Sequence, residues 1–202
     1  MPIPQGNNRP RGRAGGRRRF VCGHYWSAFA GAGGVDGLDV RYWGQEVTLK
    51  GETGRFVLPP DIRKSVRSSS NDQRMVYLHP SADLPCIVGF GLSRGKEFEI
   101  QQTRQYDDGK IDLKTLQQRL SNLYGSPGYV FDDSGRFVMP DSLLRHAGIT
   151  DRIYIHGAGP EFWIFSPHMT TDLGPGWDHI RIGCETAMER VKPGARSTGA
   201  SK

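Results

Sequence analysis

Residues 54–59 read Gly-Arg-Phe-Val-Leu-Pro and residues 135–140 read Gly-Arg-Phe-Val-Met-Pro, so five of the six positions are identical. Each copy follows a short apolar stretch and is itself followed by an aspartate that suits the start of a helix. A unit built around a single copy would be too small to have a stable core of its own. It must therefore bury its faces against a partner. The repeat therefore predicts two β-rich units that pair about a pseudo-twofold axis.

The residues around each copy predict the same order of elements twice, because their apolar positions alternate as in half-buried strands. The strands are expected at residues 46–50, 56–58, 75–78 and 86–90, and again at 129–131, 137–139, 152–156 and 162–165. Proline is tolerated in a first helical turn, so short helices are expected at residues 62–66 and 142–146. These patterns predict an α+β fold, mainly β.

The two units are predicted at residues 41–92 and 126–169, and the segment between them, 93–125, reads as a helical connector. One helix is expected at 94–105. Four leucines then fall on one helical face, at positions 113, 116, 120 and 123. Asp112 can cap this second helix and Gly125 can end it.

The two ends of the chain have a different composition. Residues 1–40 are rich in glycine, proline and arginine and offer little to bury, so they are predicted to be a disordered leader. Residues 170–202 are predicted to be a mobile tail, with a little helix at 185–191.

The net charge of +6 resides entirely in residues 1–34, because they hold six arginines and no acid while the rest of the chain is balanced. The leader could add salt-sensitive affinity for nucleic acid. It could equally be a solubilising tail or the product of an incorrectly assigned translation start. Any DNA contact by the folded part must come from local arrangement and not from bulk charge.

The repeated turns carry the candidate binding residues. Gly54 and Gly135 permit a positive φ in a tight loop, and each precedes an arginine, Arg55 or Arg136, at the start of a strand. Asp132 lies four positions before Arg136, where a carboxylate can approach the guanidinium across the turn and fix its direction. An oriented arginine can donate two hydrogen bonds to guanine or to phosphate. The alternative is an ordinary surface turn with a solvated arginine.

Other classes of function lack a supporting pattern. Cys22, Cys86 and Cys184 lie far apart, which suggests neither a zinc site nor a disulfide framework. The six histidines (24, 79, 146, 156, 168 and 179) show no zinc-ligand spacing, and paired aspartates beside glycine are typical of turns. We expect no metal, no cofactor and no enzymatic activity. No apolar run approaches the roughly 20 residues of a membrane helix, so a cytoplasmic location is expected.

Two groups of residues resemble a known family. In the second half these are Asp132 to Arg136, the Phe-Val-Met-Pro that follows, the His-Ala-Gly-Ile-Thr ending at Thr150, and the strand Phe-Trp-Ile-Phe. In the first half they are Tyr-Trp-Gly at residues 42–44, Gly-Arg-Phe-Val-Leu-Pro, and the helix with Arg63. In this order and spacing, over residues 42–168, they resemble the MraZ family of bacterial transcription regulators, which contain two SpoVT-AbrB-type units.

The resemblance implies two tandem AbrB-like swapped-hairpin units that form a small β-barrel-like core. It also implies a homo-oligomer, ring-shaped, that binds promoter repeats in double-stranded DNA through the arginine turns. If each turn binds DNA weakly, many turns that contact successive repeats would together bind with higher affinity. The family implies regulation, usually repression, of the cell-division and cell-wall gene cluster, and a nucleoid-associated location.

The first turn departs from the family pattern, because Gly51 occupies the position four before Arg55. Glu52 is the next residue, and it is a candidate substitute for the family's aspartate if the turn shifts by one position. Otherwise the first turn binds the DNA backbone less selectively, or has another role. A second class of function is an antitoxin or another protein–protein interaction module, since AbrB-like folds also serve in antitoxins. An antitoxin gene would lie beside a gene for a small toxin.

Overall fold

The computed structural model describes residues 40–81 and 83–191, and within them eight strands and five α-helices follow in order. The strands are β1 Gln45–Leu49, β2 Arg55–Val57, β3 Met75–Pro80, β4 Cys86–Phe90, β5 Gly128–Val130, β6 Arg136–Val138, β7 Arg152–Gly157 and β8 Phe162–Phe165. The helices are α1 Pro60–Ser69, α2 Leu92–Asp107, α3 Leu113–Tyr124, α4 Asp141–His146 and α5 Asp178–Val191, with a 3₁₀ helix at Pro167–Asp172.

The strands form a six-stranded antiparallel sheet in the order β1-β7-β8-β4-β3-β5 and a separate two-stranded ribbon of β2 and β6. Between the two halves, β1 pairs with β7, β3 with β5, β4 with β8 and β2 with β6. If β1 to β4 are exchanged in order with β5 to β8, the set of pairs is unchanged, so the two halves are arranged symmetrically. Each half contributes one hairpin, β3-β4 or β7-β8, and every other strand pair joins the two halves.

The ribbon is anchored by its central pair of aromatic residues. Phe56 and Phe137 are Cα partners, both are buried, and their ring centroids lie 6.4 Å apart. Their neighbours Arg55 and Arg136 are exposed, as expected when successive side chains point to opposite faces of a strand. Burial of the phenylalanines in the main core thus directs the arginines outward.

The predicted α+β class is confirmed, and each strand and helix expected in the two repeats is present with its ends shifted by a few residues. The expectation of a mainly β chain is wrong, because the strands are short and more described residues lie in helices. In the connector, the Asp112 carboxylate caps α3 by accepting a hydrogen bond from the Thr115 amide at 2.7 Å.

The C-terminal segment differs from the predicted mobile tail. Helix α5 packs on the sheet through Ile180, Cys184 and Ala187, which join a second buried cluster with β7 and β8. These residues recur at helical spacing, but two of them are small, so the amphipathic pattern in the sequence is weak. The expectations for residues 1–39 and 192–202 lie outside the described residues. No helix among the described residues is both long and apolar enough to cross a membrane.

Where α5 meets the sheet, a histidine makes stability depend on pH. Burial lowers the pKa of His156 below its ordinary value, and the charge of His179, 6.0 Å away between ring centroids, lowers it further. The unfolded chain therefore binds the proton more readily than the folded one. Stability should fall as pH drops through the unfolded pKa of about 6.5. Carboxylates whose pKa is lowered in the folded protein, such as that of Asp151, reduce stability only at more acidic pH, where they become protonated.

Thermal melts at about pH 7.5 and about pH 5.5 check this dependence. We expect a lower melting temperature at the acidic pH, and a smaller difference in His156→Gln. His168→Gln, at an exposed histidine, serves as the control and should keep the wild-type difference. An unchanged pH difference in His156→Gln would contradict the prediction.

Candidate functional site

The two glycine-arginine turns have the same backbone geometry. Gly54 has φ +74° and Gly135 has φ +82°, both in the left-handed region that favours glycine. In each turn the glycine amide donates to the carbonyl oxygen three positions earlier, Gly54 to Gly51 and Gly135 to Asp132, both at 2.8 Å. The arginine that follows each glycine begins β2 or β6. The turns thus place both arginines in equivalent positions of one ribbon.

In the second turn, Asp132 approaches Arg136 as their spacing indicates. One carboxylate oxygen, Oδ1, accepts the Arg136 backbone N–H at 2.9 Å, and the other, Oδ2, lies 3.0 Å from the Arg136 Nε. The pKa of the Asp132 carboxyl is lowered, first by this backbone N–H and also by the charge of Arg136. The carboxylate therefore stays ionised at neutral pH and holds Arg136 at its backbone N–H and at its Nε. The side chain remains 56% exposed and can donate to a ligand.

The same carboxylate also reaches the first turn. Arg55 Nη1 lies 3.9 Å from Asp132 Oδ2, the oxygen that pairs with Arg136. Among the described residues, the carboxylate within ion-pair distance of Arg55 is thus Asp132 and not the adjacent Glu52, so that proposed substitution is wrong. Asp132 belongs to the second half of the chain, so guanidinium groups from both halves converge on one carboxylate.

These side chains line an open depression of about 580 Å³, which we call the arginine depression. Its charged residues are Arg55, Arg74, Arg136, Asp132 and Asp133. Arginines outnumber aspartates, so the surface carries a net positive charge. The arginines are about half exposed, which suits a large polyanionic partner better than an enclosed small molecule.

Two residues near the second turn were not among the predicted site residues. Arg74, just before β3, reaches the arginine depression from the first unit and pairs with Asp133. Arg63 on α1 lies against Gly135, since a Cβ atom there would sit 3.0 Å from Arg63 Nη1 and 2.9 Å from the Leu58 carbonyl oxygen. Glycine is therefore required at position 135 by close approach as well as by its φ.

Cysteine and histidine side chains form no metal-binding group among the described residues. No group of three histidine, cysteine, aspartate or glutamate side chains there is arranged to hold a metal ion. Cys86 and Cys184 are buried free thiols, and burial raises the pKa of Cys86 to about 12. The arginine depression is therefore the strongest candidate site in this part of the chain.

Comparison with known proteins bears on what this surface is for. No family model matches the chain. A curated "Transcriptional regulator MraZ" from Azorhizobium caulinodans is 27% identical over 150 residues, which cover 73% of this chain and 84% of that protein. The protein of the same name from Gluconobacter oxydans is 28% identical over 122 residues, covering 59% and 71% of the two chains. A third, from Xanthobacter autotrophicus, is 29% identical over 117 residues, covering 56% and 69%.

These similarities support membership of the MraZ family. The family resemblance seen in the sequence is thereby confirmed. The MraZ relatives named above are called transcriptional regulators, and none of the three names is that of an enzyme.

Proposed function

We propose that the chain is a sequence-specific DNA-binding transcription regulator that represses the cell-division and cell-wall gene cluster, its own promoter included. Its two halves are AbrB-like units with swapped hairpins. The protein acts on the nucleoid in the cytoplasm and has no enzymatic role. The names of its MraZ relatives support the regulatory part of this proposal.

The observation that carries the proposal is the convergence of Arg55 and Arg136 on Asp132. Base readout by arginine requires a guanidinium in a fixed direction, because its donors must meet the O6 and N7 atoms of guanine together. A carboxylate that is itself held by the backbone amide of Arg136 supplies such a fixed reference. Two arginines on one reference would present their donors to neighbouring positions in the major groove.

Apolar groups beside these arginines support the same reading. Val130 and Val138 line the arginine depression, and 67% and 57% of their surfaces are exposed. Apolar side chains in a DNA interface can contact the methyl group of thymine. The depression thus combines donors for guanine with an apolar surface for thymine, which phosphate binding alone would not require.

The proposal includes a ring-shaped homo-oligomer on repeated promoter sites. One chain presents a small surface, and linked copies raise the apparent affinity because each additional contact is intramolecular. Gel-shift binding to the protein's own upstream region, measured together with the native mass of the complex, tests both parts. We expect preferential binding over a shuffled duplex of the same length and a mass of several subunits. Equal binding to both duplexes would contradict sequence-specific recognition.

A substitution of the shared carboxylate tests the site more finely. Asp132→Asn should reduce the preference for the upstream duplex by about tenfold or more, because both arginines lose the charge that orients them. Affinity for the shuffled duplex should stay the same or rise, since a negative charge near the phosphates is removed. Competition binding measures the ratio of the two affinities.

The control is Asp107→Asn, which makes the same change of charge at an exposed position outside the arginine depression. It should keep the wild-type preference. A wild-type preference in Asp132→Asn would show that Asp132 does not orient the reading groups.

A further inference from the structure

Arg74 lies in the arginine depression without belonging to either glycine-arginine turn. It directly precedes β3, and its carbonyl oxygen accepts the amide of Phe131 at 3.1 Å. This hydrogen bond joins it to the strand end that leads into the second turn. Its side chain is 45% exposed and pairs through Nη1 with Asp133.

The other half of the molecule carries the opposite charge at the equivalent position. There the Lys50 amide donates to the carbonyl oxygen of Asp151 at 2.7 Å, which matches the bond between Phe131 and Arg74. Asp151 pairs with its neighbour Arg152 at 2.6 Å. The repeat therefore does not explain an arginine at position 74.

The ion pair of Arg74 is weakly held. Its partner Asp133 is 92% exposed, and surface pairs of this kind contribute little to stability because water and salt screen them. Arg136, by contrast, has a carboxylate fixed by its own backbone amide. An arginine paired with so exposed a carboxylate is poorly placed to match a base edge, but phosphate oxygens accept hydrogen bonds from many directions.

We propose that Arg74 contacts a DNA phosphate beside the second turn, and that Asp133 holds its guanidinium until the phosphate replaces the carboxylate. This assignment rests on the proposed function and adds a residue that anchors the DNA without reading its sequence. Arg74 then supplies affinity and register, while Arg55 and Arg136 supply specificity.

The two ends of the ion pair give opposite expected results. Arg74→Gln should weaken binding to the upstream and shuffled duplexes by the same factor, and reduce the slope of log affinity against log salt by about 0.9 per engaged subunit. Asp133→Asn should strengthen binding to both duplexes, because it frees Arg74 and removes a negative charge. The ratio of the two affinities should stay at the wild-type value in both variants. Fluorescence anisotropy over a salt series, with melting curves of each variant, measures these quantities.

Arg152→Gln and Asp151→Asn form the matched control, since this pair lies outside the arginine depression. Both should keep the wild-type salt slope. A wild-type slope in Arg74→Gln would overturn the proposal, as would lower melting temperatures in both Arg74→Gln and Asp133→Asn without a change in binding. A changed affinity ratio in Arg74→Gln would also overturn it by showing base readout. If the wild-type protein binds both duplexes equally, the proposed function fails, whereas the Arg74 assignment is still tested by the slope on the shuffled duplex.

Discussion

Arg136→Ala should lose most of its preference for the upstream duplex, with about a tenfold loss for each engaged subunit. The expected magnitude follows from the guanidinium, whose paired hydrogen bonds to guanine contribute about 1–3 kcal/mol of discrimination. In an oligomer every subunit carries the change, so two engaged subunits would lose about a hundredfold. Binding to a shuffled duplex should weaken only by the loss of one charge per subunit. Competition gel shifts at several salt concentrations measure both effects.

The comparison with Arg136→Lys separates charge from geometry. Lysine keeps the positive charge but presents a single point of donation in place of the planar fork, so preference should fall while the salt slope stays near wild type. Arg190→Ala removes an exposed arginine from α5 outside the arginine depression and should leave the preference unchanged. An Arg136→Ala protein with wild-type preference and slope would show that the second turn does not read DNA.

Phe56→Ala should lower the free energy of unfolding by about 3–5 kcal/mol, the usual cost of removing a buried aromatic ring. Phe56 is fully buried and faces Phe137 across the ribbon, so its loss leaves a cavity between the two halves of the chain. For a chain of this length the melting temperature should fall on the order of 10 °C. Calorimetry or circular dichroism checks the value.

Two variants at the same ribbon serve as comparisons for the loss of unfolding free energy in Phe56→Ala. Phe56→Leu keeps most of the apolar volume and should cost much less than alanine. Val138→Ala changes a side chain that is 57% exposed, and it should stay within about 0.5 kcal/mol of wild type. A Phe56→Ala protein as stable as Val138→Ala would mean that the ribbon does not depend on its aromatic pair.

The sequence predicted those parts of the fold that depend on local patterns. The repeated Gly-Arg-Phe-Val-x-Pro specifies a positive φ, then an exposed arginine, then a buried phenylalanine, and all three are present in β2 and β6. Only residues 185–191 of helix α5 were predicted as helix, because Cys184 and Ala187 are small and give a weak apolar pattern. The share of helix was underestimated because α1, α2 and α5 are longer than predicted.

The site required contacts that no local pattern encodes. The spacing of Asp132 and Arg136 within one turn indicated their approach, and they do meet. Arg55 reaches the same carboxylate only because β2 and β6 pair across the two halves. Arg74 stands in a polar stretch that gives no sign of its neighbours, and its place in the arginine depression follows from the pairing of β3 with β5.

The claim that one carboxylate orients two reading arginines is tested most directly by a double-mutant cycle on DNA preference. Asp132→Asn is introduced into the wild-type protein and into the Arg55→Ala/Arg136→Ala variant, and the ratio of affinities for upstream and shuffled duplexes is measured in all four proteins. We predict a loss of about tenfold or more in the wild-type background and no further loss where both arginines are absent. An equal loss in both backgrounds would show that Asp132 acts independently of the arginines and would contradict the arrangement proposed for this site.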